Sequence, residues 1–228
     1  MPAPRSGLSC AGAGDKGGKK QALVMINSWF KGGVLVKLLL LVLISYLIGA
    51  IPIGYLVARS KGIDIRRRGS GNIGTTNVWR NLGPAAGLLV LAGDALKGVA
   101  AVLLGRYLAG GDAQLLTALA ALVGHSWSIF LGFQGGKIIA TTLGVFILVD
   151  PLVMVIGLGL WLLVVGAFRY VSLGSIIASA SLPVLMLALA RPWTYVLFAL
   201  AAAAIAVYKH LPNIRRLLAG TESRIGRF

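Results

Sequence analysis

The stretch RRRGSGNIGTTNVWR, Arg66 to Arg80, is the most chemically suggestive grouping in the chain. It interleaves Gly69, Gly71 and Gly74 with the hydroxyls of Ser70, Thr75 and Thr76 and the amides of Asn72 and Asn77, and it closes on the cation of Arg80. Glycines admit backbone conformations closed to other residues, so successive N–H groups can converge on one anion as a nest. Such a loop could wrap a phosphate, with Arg80 adding a forked cation. A solvated basic connection between membrane helices, with glycines as turn residues, accounts for the same composition.

Other groupings carry a chemical and a plain reading side by side. Gly132 to Lys137, GFQGGK, invites comparison with a nucleotide-binding P-loop. Its first glycine stands one residue too close, and Ile138 occupies the place of the magnesium-binding hydroxyl, so that comparison fails. Lys137 is then either an anion ligand or a snorkelling cation. His125, twelve residues earlier, is a proton carrier or a structural histidine at a helix end. Asp94 and Lys97 are spaced to pair on one helix face, as a structural ion pair or as part of a site. Ser172, Ser175 and Ser179 share roughly one face, where small residues also serve helix packing. His210 and Asn213, followed by Arg215 and Arg216, read as ligands or as an interfacial anchor to anionic lipid. Six acidic residues and one cysteine, Cys10, leave no donor set for a catalytic metal, no disulfide, and no sign of a cofactor.

These residues must be positioned by apolar helices. The 228 residues are 57% hydrophobic and 12% charged, which predicts an all-α, polytopic integral membrane protein with glycine-rich loops. The net charge of +16 sits mainly between apolar runs, where membrane topology expects it, so nucleic acid is excluded as a partner and membrane lipid is expected. Residues 1–30 read as a disordered basic tail, and 31–228 as a single membrane-embedded domain with a basic C-terminal tail. Apolar runs at Val34–Val57, Pro84–Tyr107, Ala113–Phe130, Ile138–Val149, Leu152–Phe168, Val171–Ala190 and Trp193–Tyr208 predict seven spans, or five or six if the short segments do not cross. Gly49, Pro52 and Gly54 should kink the first and admit a close neighbour. Lysine and arginine counts put the glycine loops and the C-terminus in the cytoplasm, although the N-terminal tail is itself basic.

Together, GSGNIGTTNVWR, GHSWSIFLGFQGGK, RYVSLGS and HLPNIRRLLAGTE, in this order between apolar runs, resemble the bacterial acyl-phosphate-dependent glycerol-3-phosphate acyltransferase family. The resemblance covers about Val34 to the C-terminus. It implies a seven-helix enzyme of the bacterial cell membrane, active on the cytoplasmic face. The enzyme would move a fatty acyl group from acyl phosphate to the 1-hydroxyl of glycerol 3-phosphate, giving lysophosphatidic acid and phosphate for phospholipid synthesis. An enzyme forming acyl phosphate would stand upstream. By the same resemblance Ser70, Arg80, Lys137, Ser175 and Asn213 would bind phosphate groups, with His125 and His210 in or beside the site. Gly71, Asn72, Gly74, Thr76 and Asn77 of the first motif and Gly135 and Gly136 of the second would complete the phosphate-binding loops. His125, Lys137, Ser70 and Arg80 would form the catalytic set.

Three positions depart from the family pattern: Ser128 where proline is usual, Gln134 where lysine is usual, and Ile138 where glycine is usual. If the loop requires a positive φ at 138, isoleucine is strained there by ~1–2 kcal/mol; otherwise it opens the next helix in an ordinary conformation. Acyl phosphate carries a good leaving group, so the chemistry asks chiefly for two anions to be held together and one hydroxyl oriented, by direct transfer. His125 or a substrate phosphate oxygen would take the proton. An organic-phosphate transporter is the rival reading, but it predicts an internal repeat that the sequence lacks. A non-catalytic lipid-binding homologue is the other.

Overall fold

The computed structural model describes residues 33–226, so the basic tail expected over 1–30, with Cys10, lies outside the described residues. The chain divides into two units, 1–39 and 40–228, and every relation below lies within the second. Among the described residues all regular secondary structure is helical. Helices α1 (Gly33–Ala50), α2 (Ile53–Ser60), α3 (Thr75–Leu82), α4 (Pro84–Leu108), α5 (Ala113–Ser126), α6 (Ile139–Val149), α7 (Pro151–Phe168), α8 (Val171–Ala188), α9 (Trp193–Lys209) and α10 (Leu211–Leu218) follow in order.

Five runs are long and apolar enough to cross a membrane: Gly33–Ser60, Pro84–Leu108, Ala113–Leu131, Pro151–Phe168 and Val171–Ala188. The pair α9 and α10, bent by 56°, makes a sixth if taken together. The expected count of seven is not reached by length, because α6 has 11 residues. At 1.5 Å per residue it rises roughly 16 Å, against ~30 Å of hydrocarbon. The apolar run is itself short, Ile138 to Val149, and the helix fills nearly all of it before Asp150 ends it by accepting a bond from Val153 N to begin α7.

The proline expected to kink the first helix breaks it, since its ring removes a backbone donor. The carbonyls freed at the break are taken by distant side chains. Ser128 Oγ donates to Ala50 O, and Lys97 Nζ donates to Ile51 O at 3.1 Å. Serine at 128 therefore supplies a hydroxyl donor that proline would lack. A Cβ on Gly49 would fall 2.2 Å from Ala121 O, and one on Gly144 would fall 1.9 Å from Ala95 O, so α1 meets α5 and α6 meets α4 backbone to backbone. Around these contacts Val102, Leu122, Val145, Phe146, Met186 and Phe198 form a buried core. Leu89, Leu163, Val184 and Leu197 stay exposed, as lipid-facing side chains do.

The two ends of the bundle differ in charge. At one, Arg191 pairs with Asp150 at 2.7 Å, and Arg106 binds Gln114 Oε1 at 2.8 Å and Leu148 O at 2.7 Å. The glycine loops and the C-terminal segment gather at the other.

Ile138 has φ +59° and ψ −6°, so the ordinary-conformation reading is overturned and the left-handed one holds. It is also completely buried in the core. The strain of a β-branched residue in this region is ~1–3 kcal/mol, while truncating a buried isoleucine costs about 2–5 kcal/mol. Burial outweighs strain, so Ile138→Gly is expected to destabilise the protein. We predict thermal stability in the order wild type, Ile138→Gly, Ile138→Ala, because glycine alone relieves the strain. A melting curve for the alanine variant above that for glycine would show that position 138 stores no strain.

Candidate functional site

At the basic end, Arg66, Ser70, Gly71, Asn72, Gln134, Gly135, Lys137, Lys209 and Arg216 line a cavity of about 230 Å³, with Ile73, Leu131 and Pro212 as its apolar wall. Four cations thus face one small space.

The first loop is held open mostly by its own polar groups. Asn77, buried at the start of α3, donates through Nδ2 to Ile65 O (3.3 Å), Arg68 O (3.0 Å) and Asn72 O (2.8 Å). Its Oδ1 accepts from Ser70 N at 3.0 Å. Gly71 N donates to Arg68 O at 2.9 Å, and Gly74 N to Asn72 Oδ1 at 2.8 Å. The nest expected of these amides is therefore not formed by Ser70, Gly71 and Gly74, whose N–H groups are spent inside the loop. The loop offers the cavity side chains instead. Glycine is needed at 71, where φ is +72°. Arg66 is clamped by Asp64 at 2.8 Å, and its hydrogen bonds hold the Asp64 carboxyl down to about 2.

The second loop approaches through its glycines. A Cβ on Gly135 would lie 2.2 Å from His125 O and one on Gly136 would lie 2.0 Å from His125 Nε2, so the backbone rests directly on the histidine. His125 is buried beneath it, with Nδ1 3.6 Å from Asp94 Oδ1, and Asp94 pairs with Lys97 at 2.9 Å. His125 does not line the cavity. Sequence spacing found the Asp94–Lys97 pair but not its junction with His125, which tertiary packing alone creates.

Lys137 donates to Asn213 Oδ1. Asn213 in turn donates to Glu222 Oε1 at 2.7 Å, where Ser172 Oγ also donates at 2.7 Å, and Arg216 Nε reaches Glu222 Oε2 at 2.7 Å. Burial opposes its charge, yet these bonds from Ser172, Asn213 and Arg216 hold the Glu222 carboxyl below its ordinary range. The segment carrying Glu222 is pinned by Ile225 N to Arg169 O at 2.8 Å. Arg80 lies outside the cavity lining and donates to Ser223 O at 3.4 Å. His210 is buried, its Nδ1 donating to Ala206 O at 2.7 Å. Ser175 accepts from Trp161 Nε1 at 3.2 Å and faces an apolar groove instead of the basic cavity. Thr76 and Gly74 sit at the start of α3, away from the lining.

Sequence reading missed Arg66, Lys209, Arg216 and Gln134 as one lining set. Lys209 is fixed by Ser126 O at 2.8 Å and lies 5.3 Å from the Trp127 ring centre. Burial first, then the nearby Arg216, lowers Lys137 to about 8. Its charge is present below that pH and lost as pH rises through it, so the affinity of the cavity for anions should fall above pH ~8. Guanidinium stays charged there. We predict that the alkaline fall in kcat/KM near pH 8 is absent in Lys137→Arg, read from the pH profiles of the two proteins; an unchanged limb assigns the titration to another group.

The family profile for glycerol-3-phosphate acyltransferase matches residues 39–220. A glycerol-3-phosphate acyltransferase of Desulforudis audaxviator is 55% identical over 187 residues, 82% of this chain and 94% of the relative. Glycerol-3-phosphate acyltransferase 2 of Moorella thermoacetica is 54% identical, over 82% of this chain and 97% of that one. The crystal structure of PlsY (YgiH), an integral membrane glycerol 3-phosphate acyltransferase, in its glycerol 3-phosphate form superposes with TM-score 0.79. The two are 40% identical, over 83% of this chain and 96% of that one. Its lysophosphatidic acid form gives 0.77 at 39% identity, over 83% and 95%.

Proposed function

Since the chain belongs to the glycerol-3-phosphate acyltransferase family and is a helical membrane enzyme of that activity, we propose that its donor is acyl phosphate and its products are lysophosphatidic acid and inorganic phosphate. The observation that carries this reading is the convergence of Arg66, Lys137, Lys209 and Arg216 on one cavity. Two phosphate-bearing substrates repel each other, and four cations in a partly dehydrated space offset that repulsion. Lysophosphatidic acid in the related PlsY structure supports the assigned product.

The 1-hydroxyl oxygen of glycerol 3-phosphate attacks the acyl carbonyl carbon, the C–O bond to phosphate breaks, and phosphate leaves with the bonding pair. The hydroxyl proton passes to a phosphate oxygen. His125 is not given this task, because its ring lies buried under Gly136, outside the cavity lining. Ser70, Asn72 and Gln134 orient the substrates, and Asn213 holds Lys137 in place. The acyl chain lies in an apolar groove whose mouth is at Ser175, one helical turn beyond Ser172. A mixed anhydride is short-lived in water, so a reaction that forms acyl phosphate must operate upstream.

Purified protein given acyl phosphate and glycerol 3-phosphate should release lysophosphatidic acid and phosphate in equal amounts, with acyl-coenzyme A unused. Preference for the thioester would overturn the donor. The excess of lysine and arginine at the basic end supports a cytoplasmic orientation for it. A cysteine reporter after Arg216 should label only from that side and one beside Asp150 only from the other; reversed labelling would invert the orientation.

A further inference from the structure

A buried helical glycine normally marks a close crossing. Gly98 and Gly144 follow that rule, since a Cβ on either would fall 2.3 Å or less from a neighbouring carbonyl oxygen. Gly157 on α7 breaks it. It is buried, yet a Cβ there would meet only Leu182 Cδ2, at 3.8 Å. The space beside it is the apolar groove of about 230 Å³ between α4, α6, α7 and α8.

The lining gives the groove a mouth and a floor. Ile139, Trp161 and Ser175 lie at the end nearest the basic cavity, and Phe146, Met154 and Leu182 lie seven residues farther along α6, α7 and α8 respectively. Seven residues of helix rise roughly 10 Å, and carbon–carbon bonds of about 1.5 Å advance an extended chain by roughly 1.25 Å each, so about eight carbons fit between mouth and floor. The floor is firm: Phe146 is 1% exposed and packs on Phe198 at 5.9 Å between ring centres. Gly157 stands four residues from Trp161, a little past midway. Thr142 and Ser179 add hydroxyls to an otherwise apolar wall.

We propose that this groove is the acyl-length gauge of the enzyme, with Gly157 keeping its middle open and Phe146 closing its floor. The proposal rests on the acyl transfer assigned above. Chains up to about eight carbons gain contact with each added methylene, and longer ones turn out past the exposed Leu158 into lipid. A side chain at 157 would fill the space that carbons beyond about the fifth occupy.

The test is kcat/KM for a series of saturated acyl phosphates from four to sixteen carbons, with wild type, Gly157→Ala and Gly157→Leu, each checked for membrane insertion and thermal stability. Wild type should rise to about eight carbons and then level off. Gly157→Leu should lower the hexadecanoyl-to-butanoyl ratio by at least about tenfold, and Gly157→Ala by about two- to threefold. The alanine Cβ makes only an ordinary contact, so that variant keeps the question answerable if leucine fails to fold. Ratios equal to wild type, or an equal fall for every chain length, would overturn the gauge. If wild type uses acyl-coenzyme A instead, the donor assignment falls, and the same ratios measured with thioesters still decide the gauge.

Discussion

Lys137→Ala is expected to lower kcat/KM for glycerol 3-phosphate by about a hundredfold while leaving the protein inserted and folded. The side chain ends on the cavity, where it is the cation held by Asn213 and bordered by Lys209 and Arg216. A charge-assisted hydrogen bond to phosphate contributes ~1.5–3 kcal/mol, about ten- to more than a hundredfold. The upper part of that range applies, since burial has already removed much of the water that would compete for the anion. Removal of the ammonium also frees Asn213 Oδ1, which loosens the link through Glu222 to Ser172 and Arg216. Lys137→Arg should recover a large part of the activity, and Lys137→Met should recover none. Steady-state kinetics on vesicle-reconstituted protein make the comparison. Equal activity in the arginine and methionine variants would remove charge from the account of this position.

Asp94→Ala should have the largest effect on stability. Asp94 and Lys97 are buried in α4, paired at 2.9 Å. Loss of the carboxylate strands an ammonium in the bundle, at a cost of about 3–5 kcal/mol, whereas removing both charges costs far less. Asp94→Ala should therefore melt well below wild type, and adding Lys97→Met should restore part of the difference. The restoration is incomplete because Lys97 also serves the Ile51 carbonyl at the break between α1 and α2. The single variant should lose activity as well, since His125 and the glycine loop rest above the pair. A double variant no more stable than the single one would refute the stranded-charge account.

The sequence made the glycine loops legible because polar, glycine-rich stretches between long apolar runs have few uses. Lys137, Ser70 and Asn72 were within reach for that reason, and they line one cavity. Arg66, Lys209 and Arg216 were not separable from other loop cations, since membrane topology enriches arginine and lysine on one side whatever their task. An amide beside glycines suits an anion, and Asn77 reads as a ligand for that reason, but its four bonds to the loop make it a brace of that loop. Arg80 and His125 lie in these motifs but outside the cavity lining, because a motif gives no direction to a side chain. The seven-span count is not confirmed: five helices, or six with the bent pair, meet the length for crossing, and the shortness of segment 138–149 is legible in the sequence itself. Ile138 could be read as a strained position, yet not as a core residue, because its burial depends on packing between segments distant in sequence.

The bond from Ser128 to Ala50 O joins residues 78 positions apart, one in a loop and the other at the end of a helix. The loop motifs of this chain are thus not independent cassettes. Proline at 128, with no hydroxyl, would leave the buried Ala50 carbonyl without this donor. An unmet buried acceptor costs about 1–3 kcal/mol, enough to spoil the expression of a graft whose own loop is sound. A loop graft into this chain should therefore keep Ser128, or another donor there, opposite the Ala50 carbonyl.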